Sequence, residues 1–296
     1  MKVKLLVSFL LMSFSFFGNT LEKELKNLEG IWIAEPYYNS FVKTSSAIRS
    51  KSSFDPTDPF GLRINSKDVQ DGVLSMGFSC LHDHFTRPEA SNYIVLPEYN
   101  DTIRQPIFKV QIKKPDSLQY YELQDVYLYF GSPLYFSWHY GKDTSLTILI
   151  PASAEYPEKT IKYKRVLRHS AASFPFPSPI YSFTRKISLS GHFELRDSLG
   201  NLRTKDFYID ANGVAKGDSL FENKIYEFNT DIYCGEPLYC DIVCFYWDDG
   251  KLTHYASYIY KRMGEKRIFF HALDNGIVDG RPQLVPGKLM FTLDKD

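Results

Sequence analysis

The sequence predicts an all-β protein in which one design is used twice, and three observations carry that prediction. Short runs of alternating or consecutive apolar residues recur between clusters of Gly, Pro, Asn and Asp, with almost no helical periodicity after the N-terminus. The stretch Leu28-Glu29-Gly30-Ile31-Trp32-Ile33 has a looser copy, Leu189-Ser190-Gly191-His192-Phe193-Glu194. Beyond each copy, Leu62 with Ile64 matches Phe207 with Ile209, and both isoleucines stand eight residues before a glycine, Gly72 and Gly217. Regularly spaced short strands with turn signals point to barrels or sandwiches. A glycine heading each copy is expected where a strand begins beside a closely passing backbone.

Taken in order, residues 1–20 carry Lys2 and Lys4, an apolar run from Leu5 to Phe17 and the small or polar Gly18-Asn19-Thr20. That is the three-part pattern of an export signal, and the run is too short to span a bilayer. The mature chain is therefore expected to be exported, periplasmic, cell-surface or secreted, without a transmembrane span. No Cys follows the run, which disfavours a lipid anchor, and an uncleaved signal is the alternative. With 35 basic and 35 acidic residues the chain has no net charge, nothing argues for a phosphate backbone as partner, and no nucleic acid is expected.

A short turn is expected before Gly30, and otherwise little helix apart from the signal. The Ser-rich segment from Ser40 to Ser53, with Lys43, Arg49 and Lys51 and then Asp55-Pro56-Thr57-Asp58-Pro59, reads as a long polar loop. It is an insertion: 36 positions separate Leu28 from Ile64, but 20 separate Leu189 from Ile209. Strands follow at Ile107 to Ile112, Leu118 to Leu123, Leu134 to Tyr140 and Leu146 to Ile150, and in the second copy at Ile225 to Phe228, Leu238 to Trp247, Leu252 to Tyr260, Ile268 to Leu273 and Lys288 to Leu293. Asp210-Ala211-Asn212-Gly213 and Asp248-Asp249-Gly250 are hairpin turns. Between the copies, residues 169–180 alternate Pro with Phe and read as a stiff linker.

The Leu-x-Gly-x-Trp pattern of Leu28, Gly30 and Trp32 resembles the first strand of lipocalins and of bacterial lipocalin-like, calycin-type exported proteins. The resemblance implies two tandem antiparallel eight-stranded barrels, at 21–168 and 181–296. It also implies that Trp32 sits at a closed barrel end against a basic residue of the last strand, for which Arg165 is the candidate. The Ser40 to Ser53 segment then corresponds to the loop that lids the barrel mouth; a plain surface loop is the other reading. The second copy departs from the pattern, with Phe193 for Trp and no Arg between Lys288 and Leu293.

On a strand, Leu74, Met76, Phe78, Cys80, His82 and His84 project from one face, an apolar floor leading to a thiol and two imidazoles. Zinc or copper accepts such ligands, although a polar strand end beside a turn explains Cys80, His82 and His84 without metal. No cofactor is otherwise expected. Export permits disulfides, and the turn at Gly235-Glu236-Pro237 returns Cys234 toward Cys240 or Cys244, which at strand rise lie about 13 Å apart and do not bridge each other. Reduced, buried thiols are the alternative. The chain carries 23 Phe, 21 Tyr and 3 Trp, and Trp138 and Tyr140 lie in an aromatic cluster suited either to lining a lumen or simply to strands.

No metalloprotease, phosphate-loop or Cys-x-x-Cys spacing is present, so an enzyme is not favoured. The expected function is non-enzymatic binding of a small apolar or amphipathic ligand in the lumen of the first barrel, by Leu74, Met76, Phe78, Cys80, His82, His84, Trp138 and Tyr140. The alternative is an envelope or surface interaction protein, or a glycan binder, whose barrels are filled with side chains. A metal-dependent enzyme at His82 and His84 stands third.

Overall fold

The computed structural model describes residues 23, 26–55, 61–70, 73–79, 107–114, 120–123, 134–139, 144–152, 154, 157–168, 179–228, 239–250 and 253–295. They are mainly β, as the alternation predicts, and fall into two compact units. The first unit holds β1 (Gly30–Ala34), β2 (Gly61–Gln70), β3 (Val73–Ser79), β4 (Ile107–Lys114), β5 (Tyr120–Leu123), β6 (Leu134–His139), β7 (Ser145–Ile150) and β8 (Lys159–Leu167). Each strand pairs antiparallel with the next and β8 pairs back onto β1, an up-and-down barrel. Ala34, Tyr163, Leu146 and Trp138 oppose one another in turn across β1, β8, β7 and β6. Opposed residues share a face. All four are buried, so this row lies on the inner face.

Gly30 and Gly191 head their strands with φ of +142° and +132°, a conformation that disfavours side chains. They differ in surroundings. A Cβ on Gly30 would lie 2.2 Å from the carbonyl oxygen of Leu167, whereas one on Gly191 meets nothing within 4 Å. Gly30→Ala is therefore expected to cost about 3 kcal/mol and Gly191→Ala about 1–2 kcal/mol, read as shifts in the denaturant midpoint. Equal costs would show that backbone strain alone, not the close approach, fixes the first glycine.

The second unit contains α1 (Glu35–Thr44) from Pro36 onward, α2 (Ala47–Ser50), a 3-10 turn (Lys51–Ser53) and α3 (Pro179–Ser188) from Ile180 onward. Its strands are β9 (Gly191–Asp197), β10 (Leu202–Ile209), β11 (Ala215–Lys216), β12 (Ile225–Phe228), β13 (Asp241–Asp248), β14 (Thr253–Met263), β15 (Arg267–Val278) and β16 (Arg281–Lys295). They form one sheet in the order β11-β10-β9-β16-β15-β14-β13-β12. This is the barrel's cyclic order opened between the third and fourth strands. β11 is two residues long and meets β12 only through the bridge of Val214 with Ile225 and neighbouring backbone hydrogen bonds. The repeat holds at the level of register: Gly30 opposes Ile64 and Trp32 opposes Leu62, just as Gly191 opposes Ile209 and Phe193 opposes Phe207.

Three expectations are corrected. The second sheet is not a closed barrel, because β11 ends after two residues. Helix is not confined to the N-terminus, and most of the Ser40 to Ser53 segment is helical: Tyr37 and Phe41, four apart on α1, are buried, and Ser46 caps α2 by accepting from the Arg49 amide at 3.1 Å. The strands around Ile268 to Leu273 and Lys288 to Leu293 are the base of one long hairpin, turned at Asp279-Gly280 with φ of +51° and +76°. Pro179 opens α3, while 169–178 of the expected linker lie outside the described residues. No helix among the described residues is long and apolar enough to cross a membrane.

Candidate functional site

β3 sets Leu74 opposite Phe108, Met76 opposite Ile64 and Phe78 opposite Leu62, so the predicted floor belongs to the barrel wall beside two fully buried residues of β2. From β6, Trp138 is 6% exposed. Cys80, His82, His84, Tyr140 and Cys234 lie outside the described residues. Among the described residues no three His, Cys, Asp or Glu side chains gather as a metal site. Cys240 and Cys244 are free thiols: Cys240 Sγ donates to the Leu284 carbonyl at 3.4 Å and Cys244 Sγ lies 3.1 Å from Ser257 Oγ. Burial pushes the Cys240 thiol above its ordinary pKa.

Trp32 and Arg165 meet as the resemblance implies. The guanidinium carbon stands 4.5 Å from the indole centroid, Trp32 Nε1 donates to the Leu28 carbonyl at 2.9 Å, and Arg165 Nη2 donates to the Asn27 carbonyl at 2.8 Å. A cation over the indole face, with both donors spent on the backbone before β1, ties the chain's approach to the start of the barrel.

In the second unit the interior is occupied by rings. Phe245 lies 5.0 Å from Phe221, 6.2 Å from Tyr226, 6.1 Å from Tyr258, 6.3 Å from Phe270 and 6.3 Å from Phe291, mostly edge-on or tilted. Phe270 and Phe291 stack at 4.4 Å. Beside them α3 brings a polar group inward. The Tyr226 hydroxyl donates to the Thr184 carbonyl at 3.1 Å and contacts Ser188 Oγ, and burial drives its pKa far above the ordinary phenol value. Arg185 Nη2 pairs with Glu227 Oε1, the two side chains being 0% and 2% exposed. Burial pulls the guanidinium down to about 10.

Residues 36–55 pack in the same unit. Phe183 of α3 lies 6.2 Å from Tyr37, 5.3 Å from Tyr38 and 5.2 Å from Phe41, and Phe41 meets Phe228 of β12 at 5.6 Å. Asp241 Oδ1 accepts from the Ile48 amide at 3.1 Å, and Arg262 Nη1 donates to Ser45 Oγ at 2.8 Å. Burial raises the Asp241 carboxyl above its ordinary pKa, opposed by hydrogen bonds from Ser46 and the amides of α2. At the end of β13 and β14 where Asp248 opposes Thr253, on the same face of the sheet as Phe245, Lys224 Nζ lies 3.9 Å from the Trp247 ring, Trp247 stacks on His254 at 5.5 Å, and His254 Nε2 lies 2.9 Å from Asp249 Oδ2. Tyr255, 66% exposed, pairs with Tyr246 at 5.9 Å.

No protein-family model, curated protein or solved structure matches the chain. The sequence reading reached β3, Trp138, Trp32 and Arg165. It missed Arg185, Glu227, Asp241 and Arg262, whose partners lie far away in sequence; the usable signal for α3 was Ser178-Pro179 ahead of Ile180, Phe183 and Ile187.

Proposed function

We propose that this is an exported, non-enzymatic binding protein whose first barrel holds a small apolar or amphipathic molecule, and whose second repeat is a related barrel opened at the β11/β12 seam. The observation that supports the reading is that the first sheet closes while the second stays open. The first sheet joins its ends through β1 and β8 and presents the apolar row of Ala34, Tyr163, Leu146 and Trp138 inward, the arrangement that encloses a lumen. The second is filled ring to ring around Phe245. Leu74, Met76 and Phe78 supply further apolar lining in this reading, with Cys80, His82 and His84 as polar contacts, and binding is burial of the ligand's apolar surface.

Native mass spectrometry of protein purified from its own host, with metal analysis on the same sample, tests it. An adduct of a few hundred daltons, roughly the mass of a ligand fitting a barrel lumen, released by solvent extraction, is expected. A bare mass overturns the carrier reading. The second reading then gains: an envelope or glycan-binding protein, favoured by the filled interior and by the exposed Tyr255 and the Lys224, Trp247 and His254 stack.

A further inference from the structure

β14 pairs with β13 from Thr253, opposite Asp248, to Tyr260, opposite Asp241, but with β15 only from Ile259 to Met263. Among the described residues Thr253–Tyr258 is therefore an open edge. The strand that would cover it turns away: β15 shifts register against β16 between Phe270 and Leu273, a bulge that bends it, and from Leu273 to Val278 it pairs with β16 alone. The arm so formed is held elsewhere. Cys240 Sγ, just before β13, donates to the Leu284 carbonyl at 3.4 Å, and Gln283 is buried. The arm's own edges carry residues that discourage pairing, Asp274 and Gly276 on β15 and Pro282, Pro286 and Lys288 on β16. Thr253-His254-Tyr255-Ala256-Ser257-Tyr258 carries no Pro, Gly, carboxylate or ammonium.

We propose that this edge is an interface between two copies of the chain, joined by antiparallel pairing of β14 with β14 about a twofold axis at Tyr255. Only another extended backbone supplies amides and carbonyls at the spacing of the edge, and a strand that meets its own copy must not set like charges opposite each other. The edge meets that condition. Its one titratable group near neutral pH, His254, lies 2.9 Å from Asp249, and the whole chain has a formal net charge of zero, so no long-range repulsion keeps two copies apart. Opposed residues share a face, so the axis falls on a residue, Tyr255 or Ala256 at the middle of the edge. With the axis at Ala256, Thr253 of one copy falls opposite Ile259 of the other, where His271 already stands. With the axis at Tyr255, Thr253 falls opposite Ser257 and His254 opposite Ala256, all within the open edge. This register also sets the two Tyr255 side chains, each 66% exposed and each beside Tyr246 at 5.9 Å, next to one another on one face. The interface is independent of whether the first barrel carries a ligand.

Sedimentation velocity of the full chain from about 1 μM to about 1 mM tests this, since an interface of one strand pair is small and its Kd is expected at about 10–100 μM. Tyr255→Lys sets two ammonium groups against each other at the axis and is expected to weaken association at least about tenfold. Its denaturant midpoint at low concentration is expected to match the parent's, because the Tyr255 side chain is largely exposed. Tyr255→Phe is expected to stay within about threefold of the parent. Disulfides read the register. Under mild oxidant Tyr255→Cys is expected to link to its own copy across the axis, whereas Thr253→Cys, about 13 Å along the strand from its copy, is not. The proposal is overturned if the parent stays monomeric across the range, which would leave the edge to an extended segment of another protein. It is equally overturned if Tyr255→Lys associates as tightly as the parent, or if Thr253→Cys links as readily as Tyr255→Cys.

Discussion

Replacing Glu227 with Gln is expected to destabilise the second unit by about 3–5 kcal/mol, because it strands the guanidinium of Arg185 as an uncompensated charge. Neither side chain of the pair has appreciable contact with water, and Arg185 Nε and Nη1 and Glu227 Oε2 find no hydrogen-bond partner among the described residues. The attraction between the two charges therefore helps to offset their desolvation, with the Asp210 carboxylate also favouring the charged guanidinium. It also fixes α3 against β12, where the Arg185 side chain already fills the space beside Gly213. By the same reasoning the double variant Arg185→Met with Glu227→Leu is expected to recover most of the loss, since removing both charges leaves nothing buried unpaired. Denaturant midpoints of the parent, the single and the double variants form the measurement. A single-variant loss under about 1 kcal/mol would mean that water reaches the pair.

The second large effect is expected at Phe245. Phe245→Ala removes the ring that five others surround at 5.0 to 6.3 Å, and the expected cost is about 3–5 kcal/mol. Tyr255→Ala, on the outer surface of the neighbouring strand, is expected to stay within about 0.5 kcal/mol. The comparison bears on function as well as stability. If Phe245→Ala were as mild as Tyr255→Ala, the interior of the second unit would have room to spare, and it too would become a candidate lumen.

What the sequence made legible is local and periodic. Gly30 and Gly191 mark strand starts because only glycine takes their φ, and the match of Ile64 with Ile209 fixes the register because a strand repeats every two residues. Arg165 was reachable because the Trp32 pattern names its partner's type and strand. α1 was hidden: its apolar face is two residues, Tyr37 and Phe41, set in a Ser-rich run, and what makes it a helix is Phe183 and Phe228. The β15–β16 hairpin was hidden differently. Gly276, Pro282, Pro286 and Gly287 read as breaks, yet Pro282 and Pro286 oppose Ile277 and Leu273 in a stretch that pairs only within the hairpin among the described residues, where a missing amide costs no ladder bond. Of the site residues read from the sequence, Leu74, Met76, Phe78 and Trp138 fall on strands of the first barrel, as their alternation implied. The Arg185–Glu227 pair was not legible, since no spacing tells which of 35 acidic residues meets which of 35 basic ones.

Residues 36–55 change what it means to divide this chain. Residues 36–55 are covalently part of the N-terminal half, but the groups that receive them are Phe183, Phe228, Asp241 and Arg262, as many as 193 and 217 residues further on for the two polar anchors. A nick anywhere in 169–178 therefore yields an N-terminal piece that still carries a share of the C-terminal piece's core, and the two stay together as a complemented pair instead of separating. A C-terminal half grafted elsewhere on its own therefore arrives with Phe183 and Phe228 stripped of the rings that pack on them here.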